Sequence, residues 1–458
     1  RPVLHREAMK FYSTNRQVPH VDLADALLEG QAADRGLYMP LQVPSIADII
    51  SRAKDLSYPE LAAQVLSLYA DGVFSRAEME DICADAYNFE VPVEPVIGRR
   101  HILRLDCGPS ASFKDFAARF MGRALGRLVT ARGRELLILT ATSGDTGSAV
   151  AHAFLGVPGI RVLVLFPTDE VSDRQRRQMT TLGGNIATIS VSGKFDDCQA
   201  LVKRAFSDPD LSGLQLSSAN SINIGRLLPQ SVYYIYAASR IADIAGGEKV
   251  IISVPSGNFG NLMGGVLAFR GGLPVQKFVV ATNANDEVPV FFQTEQYRKI
   301  EPSIVCLSNA MNVGHPSNLA RLVDLYGGHL DEKGVLHRVP DMAAIRRDFY
   351  GVSISDDATR DTIGRVFRET GVMLEPHGAV GWAGLERFFE SHPELADCPA
   401  LSLETAHPAK FPDEVIRLTG TAPTLPDALK GLDALAERYD HMAVDYAAFK
   451  QILLEKYR

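Results

Sequence analysis

Gly108-Pro109-Ser110-Ala111-Ser112-Phe113-Lys114-Asp115-Phe116-Ala117-Ala118-Arg119-Phe120-Met121-Gly122 sets one lysine behind a Gly-Pro turn signal and ahead of a helical pattern. Phe113, Phe116, Ala117, Phe120 and Met121 recur at the spacing of one helix face, so Lys114 is predicted in the first turn of a largely buried helix. Apolar surroundings and the positive end of a helix dipole both disfavour an ammonium, so its pKa is expected to fall toward the range where the amine is nucleophilic. Such a lysine can form a Schiff base. A lone lysine is better read as an ordinary solvated side chain on an amphipathic helix, and the Phe-Lys-Asp-Phe context with three words later in the chain reverses that reading.

Composition narrows the class. The chain has 458 residues, 46% hydrophobic and 22% charged, enough for two or three domains with substantial cores and no sign of disorder. A net charge of -8 argues against nucleic acid or an acidic membrane surface as the main partner. The five cysteines (Cys83, Cys107, Cys198, Cys306, Cys398) are scattered, with no CxxC pair, as expected of reduced thiols in the cytoplasm. No apolar run approaches the roughly 18 residues of a membrane span, and no signal-peptide core is visible. Arg1 to Ala8 differ in character from the rest of the chain and read as an appended remnant, with Met9 as the natural start.

Residues 9–98 are expected to form a mostly helical N-terminal domain, with a helix at Asp22 to Leu28, amphipathic helices from Ile46 to Asn88 and a linker from Val91 to Arg99. Apolar runs then alternate with helical stretches. The strand candidates are Ile102 to Leu105, Leu136 to Thr140, Val162 to Phe166, Ile186 to Val191, Val250 to Val254, Phe278 to Thr282 and Ala400 to Leu403. That alternation predicts an α/β fold with parallel sheets covered by helices on both faces. Gly327 to Val339 is expected to be a surface insertion, the segment beyond Pro412 helical to the end apart from a break marked by Pro423 and Pro426, and the basic run Arg174 to Arg177 a solvated helix face.

In open α/β sheets, ligands gather at the carboxyl ends of strands, so the words directly after strands carry most weight. Thr140-Ala-Thr-Ser-Gly-Asp-Thr-Gly147 offers hydroxyls and N–H groups at a helix start, which suits an anion and equally a plain N-cap. Pro255-Ser-Gly-Asn-Phe-Gly-Asn261 lets the backbone approach a ligand closely, as a phosphate cradle or a tight strand-to-helix turn does. Glu404-Thr-Ala-His-Pro-Ala-Lys-Phe411 comes directly after the last strand, and capping or packing is as good a role for His407 and Lys410 as catalysis. Ser218-Ala-Asn-Ser-Ile-Asn-Ile-Gly-Arg226 leads to an arginine whose planar fork suits a phosphate. The eleven histidines show no metal-ligand spacing.

These words resemble the threonine synthase family, whose usual wording around the lysine is Gly-Pro-Thr-x-x-Phe-Lys-Asp-Phe; Ser110 stands here for Thr. The opening Tyr12-Ser13-Thr14 and the turn Asp34-Arg-Gly-Leu-Tyr-Met-Pro40 match as well, with Arg35 where the family has Gly. Ala281 to Asp286, Ser308 to Met311, Pro316 to Asn318 and Glu375 to Ala379 match in order, without assigned chemistry. The resemblance covers Met9 to Phe411 and implies fold type II of the pyridoxal 5'-phosphate (PLP) enzymes, with two open, mainly parallel sheets flanked by helices. It implies PLP on Lys114, the PLP phosphate on Gly257, Asn258, Phe259, Gly260 and Asn261, and the pyridine nitrogen on Thr405. It further implies the substrate carboxylate on Thr142, Ser143 and Thr146, and a substrate phosphate ester on Asn220, Ser221 and Arg226. Asp145 occupies the place beside the pyridoxal 3'-oxygen where many such enzymes have Asn; a carboxylate there repels a phenolate unless a proton is shared. The expected division is 9–98, then 99–240 with the lysine and carboxylate loop, then 241–458 with the PLP-phosphate loop and C-terminal helices.

The activity so implied is conversion of O-phospho-L-homoserine and water to L-threonine and phosphate. The expected partner is that small molecule, with no metal, nucleic acid or membrane, and the protein a monomer or homodimer. A related phospho-lyase yielding a keto acid and ammonia shares every motif. A non-catalytic nucleotide-binding module using Gly144 to Gly147 is the alternative from another class.

Overall fold

The structure is a computed structural model and describes residues 8–142 and 144–458, so all of the expected N-terminal remnant but Ala8 lies outside the described residues. Its larger sheet has six strands in the order Phe349–Ser353, Val275–Thr282, Val250–Pro255, Ala400–Glu404, Arg100–Arg104 and Val93–Ile97. All neighbours are parallel except the last pair. The second sheet has five parallel strands, ordered Asp440–Ala443, Ile186–Ser192, Ile160–Pro167, Leu136–Ala141 and Leu216–Ser217. The inner strands are Val-, Ile- and Leu-rich and buried along nearly their whole length, the pattern of sheets covered on both faces.

Each of the seven predicted strands is present, six of them one to three residues longer than predicted and the seventh, predicted at Ile102 to Leu105, shifted to Arg100–Arg104. Strand order matters more for the site than strand existence. Ala400–Glu404, late in the chain, inserts between Val250–Pro255 and Arg100–Arg104. Three parallel neighbours therefore release the lysine word, the glycine-rich word and the threonine word side by side. In the smaller sheet Leu137 and Ile138 pair with Leu216 and Ser217, which sets the Thr142 loop beside the Ser218–Arg226 turn. Arg100–Arg104, from the expected 99–240 segment, thus pairs with Ala400–Glu404 of the expected 241–458 segment.

The N-terminal region packs the helices Leu23–Glu29, Ala47–Ile50, Tyr58–Ser67 and Arg76–Ala86 with a hairpin of Phe11–Ser13 and Tyr38–Pro40. Asp22 caps the first helix through the Asp25 N–H, and Ser57–Glu60 and Ser75–Glu78 form reciprocal capping boxes on two others. Arg35, where the family has Gly, is held left-handed at φ 65°. Tyr58 and Phe89 meet the Phe116 ring edge-on and Tyr87 Oη donates to Phe116 O, so this region clamps the helix that begins at Lys114.

Several expectations need correction. The linker Val91 to Arg99 contains the edge strand Val93–Ile97, and Phe349–Ser353 forms the opposite edge. The segment beyond Pro412 is not helical throughout: Asp440–Ala443 adds a strand to the smaller sheet before the helix Tyr446–Tyr457. Only Met442 of that strand is buried, so its polar sequence carries no apolar signal. The insertion Gly327 to Val339 folds as the hairpin His329–Leu330 with Leu336–Arg338. The basic run lies on the helix Asp173–Thr180 but is not a solvated face. Arg174 Nη1 donates to Ala409 O (2.9 Å), and Arg176 and Arg177 pair with Glu437. These arginines fasten the C-terminal segment across the site. No helix among the described residues is long and apolar enough to cross a membrane.

Candidate active site

Lys114 begins the helix Lys114–Ala131, and the strand order fixes its position. Phe113 N–H donates to Thr405 O (2.9 Å), His407 N–H to Ala111 O (3.0 Å), and Ser112 bridges Ala406. The loop before the lysine is thereby laced to the segment after Glu404. Asp115 turns back to accept the Ser110 N–H at 2.9 Å, and a Cβ on Gly108 would lie 2.5 Å from its Oδ2. Lys114 Nζ donates to Thr146 Oγ1 at 2.8 Å, joining the two sheets at the amine itself. The lysine is half-buried by area because it lines a cleft, yet the amine is enclosed enough that loss of water pushes its pKa down to about 8. Asp145 opposes that shift, while Arg226 and Lys410 add to it.

The loop after Leu136–Ala141 is shaped by Thr142, whose Oγ1 accepts the N–H groups of Gly144 (2.9 Å) and Gly147 (2.8 Å). Its hydroxyl oxygen therefore faces into the loop. Gly144 has φ 141°, a conformation open essentially to glycine, and a Cβ there would lie 2.4 Å from Gln175 Nε2. Ser143, expected to hold the substrate carboxylate, lies outside the described residues. Asp145 Oδ1 is 2.8 Å from Lys410 Nζ, and both side chains are buried. Burial alone would raise the Asp145 pKa, but the Lys410 and Lys114 cations outweigh it and hold the carboxyl well below the usual range. Its charge is thus met by a cation rather than by a shared proton.

The glycine-rich loop leaves Val250–Pro255 with Ser256 N–H on Ala281 O (2.8 Å) and Asn318 N–H on Asn258 O (3.2 Å). A Cβ on Gly257 would stand 2.9 Å from Ala310 O, so the backbone passes where no side chain fits. Phe259 is left-handed at φ 67°, and the helix Gly260–Gly271 starts immediately after it. That turn directs successive N–H groups to one side. Asn261 Oδ1 accepts from the Tyr233 and Tyr234 hydroxyls, while its buried Nδ2 has no hydrogen-bond partner among the described residues. A donor set of backbone amides plus an unpaired carboxamide, with no lysine or arginine of its own, fits a tightly held phosphate.

Behind Thr405 lies a network to which the sequence assigned no chemistry. Glu375 N–H donates to Glu404 Oε1 (3.0 Å), and Glu375 Oε2 accepts the His377 N–H and meets His377 Nδ1 at 2.6 Å. Ala310 N–H donates to His377 Nε2 (3.1 Å), so the ring carries its proton on Nδ1 and donates to Glu375. Burial and the neighbouring Glu375 push the Glu404 carboxyl well up. The matching words Glu375 to Ala379 and Glu404 to Phe411 were the visible signal; what hid the network is that its members meet only through strand order.

The Ser218–Arg226 turn sits beside the Thr142 loop, with Thr140 Oγ1 3.3 Å from Asn220 Oδ1. Arg226 is 5% exposed, donates from Nη1 to Ala219 O, and its Nε has no hydrogen-bond partner among the described residues. No carboxylate among the described residues pairs with it, and burial pushes its pKa down to about 10. Ser221 O accepts from Asn318 Nδ2 (3.2 Å), and a Cβ on Gly260 would lie 3.8 Å from Ser221 Cβ, so this turn abuts the glycine-rich loop. Arg321, fully buried, braces both: its guanidinium donates to Ile222 O (2.7 Å), Asn318 Oδ1 (2.6 Å) and Tyr38 O (3.0 Å).

Residues 98–396 match the family described as "Pyridoxal-phosphate dependent enzyme". The chain is a PLP-dependent lyase of fold type II. Residues 10–87 match "Threonine synthase N terminus" and residues 378–453 "Threonine synthase, C-terminal". The chain is 37% identical over 452 residues to the threonine synthase of Haemophilus influenzae, across 98% of this chain and 100% of that protein. It is also 37% identical over 449 residues to that of Escherichia coli, across 97% and 99%. The crystal structure of PLP-bound threonine synthase from Brucella melitensis matches with a TM-score of 0.91 at 33% identity, covering 98% of this chain and 100% of that one. The chain belongs to the threonine synthase family.

Proposed function

We propose that this chain converts O-phospho-L-homoserine and water to L-threonine and phosphate in the cytoplasm. The observation that carries the substrate choice is Arg226, a buried guanidinium with no carboxylate partner and an Nε without a hydrogen-bond partner among the described residues, beside a lysine whose pKa is pushed down to about 8. A buried cation without an anion is costly unless a ligand supplies one. Asn220, Ser221 and Arg226 hold the phosphate ester of the substrate. The Thr142–Thr146 loop orients the substrate carboxylate, with Thr142 shaping the loop and Thr146 Oγ1 holding the Lys114 amine. Gly257 to Asn261 hold the phosphate of PLP, and the Thr405 hydroxyl faces its pyridine nitrogen.

PLP, when bound, supplies the electron sink for negative charge developing beside Cα. Lys114 Nζ, freed as an amine by the incoming substrate, would take the Cα proton, return it to the conjugated system next to Cα and, again a free amine, take one from Cβ, with phosphate departing from Cγ toward Arg226. Water adds at Cβ, and protons return to Cα and Cγ. The lysine can serve because its depressed pKa leaves a sizeable fraction as free amine near neutral pH. Adding O-phospho-L-homoserine to the cofactor-loaded chain should change its visible absorbance and yield threonine and phosphate in equal amounts, with both lost in Lys114→Ala. Keto acid and ammonia as the products would overturn the proposal in favour of a phospho-lyase, and no lysine-bound absorbance band after added PLP would remove the mechanism.

A further inference from the structure

Asp145 and Lys410 meet inside the site from elements far apart in the chain. Asp145 opens the helix Asp145–Phe154, and Lys410 closes the short turn Pro408–Lys410 beyond Thr405. The contact is 2.8 Å, with the side chains 9% and 2% exposed. The turn is pinned on three sides. Ala409 N–H donates to His407 Nδ1 (3.0 Å), Arg174 donates to Ala409 O (2.9 Å), and Ala406 bridges Ser112 just ahead of Lys114. Lys410 is therefore built into the site, not a surface lysine that found a partner.

The charges around Lys114 show what the pair accomplishes. Lys114 faces Asp145, Arg226 and Lys410; Asp145 in turn faces Lys410, Lys114 and His377; Asp115, His152 and His407 lie within electrostatic reach of Lys410. Asp145 is the one anion acting on Lys114 in that set. Without Lys410, Asp145 would be left to pair with Lys114 and hold it as ammonium, the form that cannot attack a carbonyl carbon. It would also present an uncompensated carboxylate to the phenolic edge of PLP.

We propose that Lys410 is a positioning residue that acts through Asp145: by engaging that carboxylate it keeps the Lys114 amine free for Schiff-base formation and offers the cofactor ring a neutral ion pair in place of a bare negative charge. The inference rests on the PLP placement of the proposed function, though not on the product formed.

A charge cycle in the full-length, cofactor-free chain tests it. Cyanate carbamylates free amines, so the rate of Lys114 modification against pH, followed by mass spectrometry of its peptide, reads that amine directly. The unsubstituted chain should give a midpoint near about 8. Lys410→Met should raise the midpoint by about one unit and slow labelling roughly fivefold at about pH 8, because Asp145 is then unopposed. Asp145→Asn should lower it, Lys410→Arg should leave it in place, and the double variant Asp145→Asn/Lys410→Met should stay close to Asp145→Asn alone, since Lys410 has little left to act through once the carboxylate is gone. The proposal is overturned if Lys410→Met leaves the midpoint unmoved, or if it raises the midpoint as much in the Asp145→Asn background as in the unsubstituted chain, which would mark a direct effect on Lys114. Should Lys410→Met fail to fold, Asp145→Asn decides: an unchanged or raised midpoint sinks the idea. A chain that behaves as expected here but makes keto acid from phosphohomoserine would break the proposed function and leave this inference intact.

Discussion

The two loops proposed as seats for negative charge lie against each other in this molecule, and they are built on different principles. The Pro255–Asn261 loop offers backbone N–H groups, a left-handed Phe259 and the Asn261 amide, with no charged side chain of its own. The Ser218–Arg226 turn offers a buried guanidinium with a free Nε. Distributed neutral donors suit a group that stays, because no single contact dominates and no lone charge is buried when the group is absent. A buried charge suits a group that comes and goes, because the site regains much when the ligand's anion arrives. Lys114 stands between the seats, and Arg226 lowers its pKa across the cleft.

The contrast is broken most severely at Arg226. Arg226→Met should lower kcat/KM for O-phospho-L-homoserine by about 10²- to 10³-fold, the usual loss for one partner of a buried charged contact, while PLP affinity by equilibrium titration changes little. An equal loss of PLP affinity would merge the two seats into one. Gly257→Ala attacks the other seat. Its new Cβ would stand 2.9 Å from Ala310 O, a carbonyl that cannot swing aside as a side-chain end can. PLP should bind about 10- to 100-fold more weakly, with KM for the substrate nearly unchanged once PLP is saturating.

A gentler probe is Thr405→Val, which keeps shape and removes a hydroxyl. If Thr405 makes one neutral hydrogen bond to the pyridine nitrogen, kcat should fall only about fivefold, in keeping with a net worth of ~1 kcal/mol; Thr405→Ser should restore it. The smallest effect is one of linkage. The Lys114 pKa falls from 10.5 in the open chain to about 8 in the fold. Between those values the unfolded chain binds the extra proton, so the stability of the cofactor-free protein should rise with pH across that window and flatten above it. The slope has an upper bound of about 1.4 kcal/mol per pH unit. Comparing denaturant midpoints of the chain and of Lys114→Met at several pH values isolates this term. The unsubstituted chain should lose stability relative to Lys114→Met as pH falls from about 10 to 8; a relative gain over that range would contradict the depressed pKa.

Much of the fold could be read from residues because burial on both faces writes itself into a strand as an unbroken apolar run. Ile160–Pro167 and Val250–Pro255 are of this kind. Val93–Ile97 and Asp440–Ala443 are not: they lie at sheet edges, where one neighbour and partial solvent cover demand no such run. The basic run Arg174 to Arg177 misled for a related reason, since charge on a helix does not say whether solvent or Glu437 receives it.

The site divides along the same line. Lys114, the glycines at 257 and 260 and the hydroxyls at 142 and 146 stand out because each belongs to a word that must come after a strand, and local backbone geometry demands those residue types. The Asp145–Lys410 pair spans 265 residues, and the Glu404–Glu375–His377 chain exists only because two segments meet behind Thr405. No local preference encodes such meetings. By itself the sequence determined which central segments would be strands, where glycines would let the chain turn after them and which lysine would head a buried helix, since these depend on side-chain size, period and backbone freedom over a few neighbouring residues. Only the tertiary structure decided how the charges balance, because inserting Ala400–Glu404 between two earlier strands brings Lys410 to Asp145, and in a buried cleft a charge is defined by the partner that reaches it.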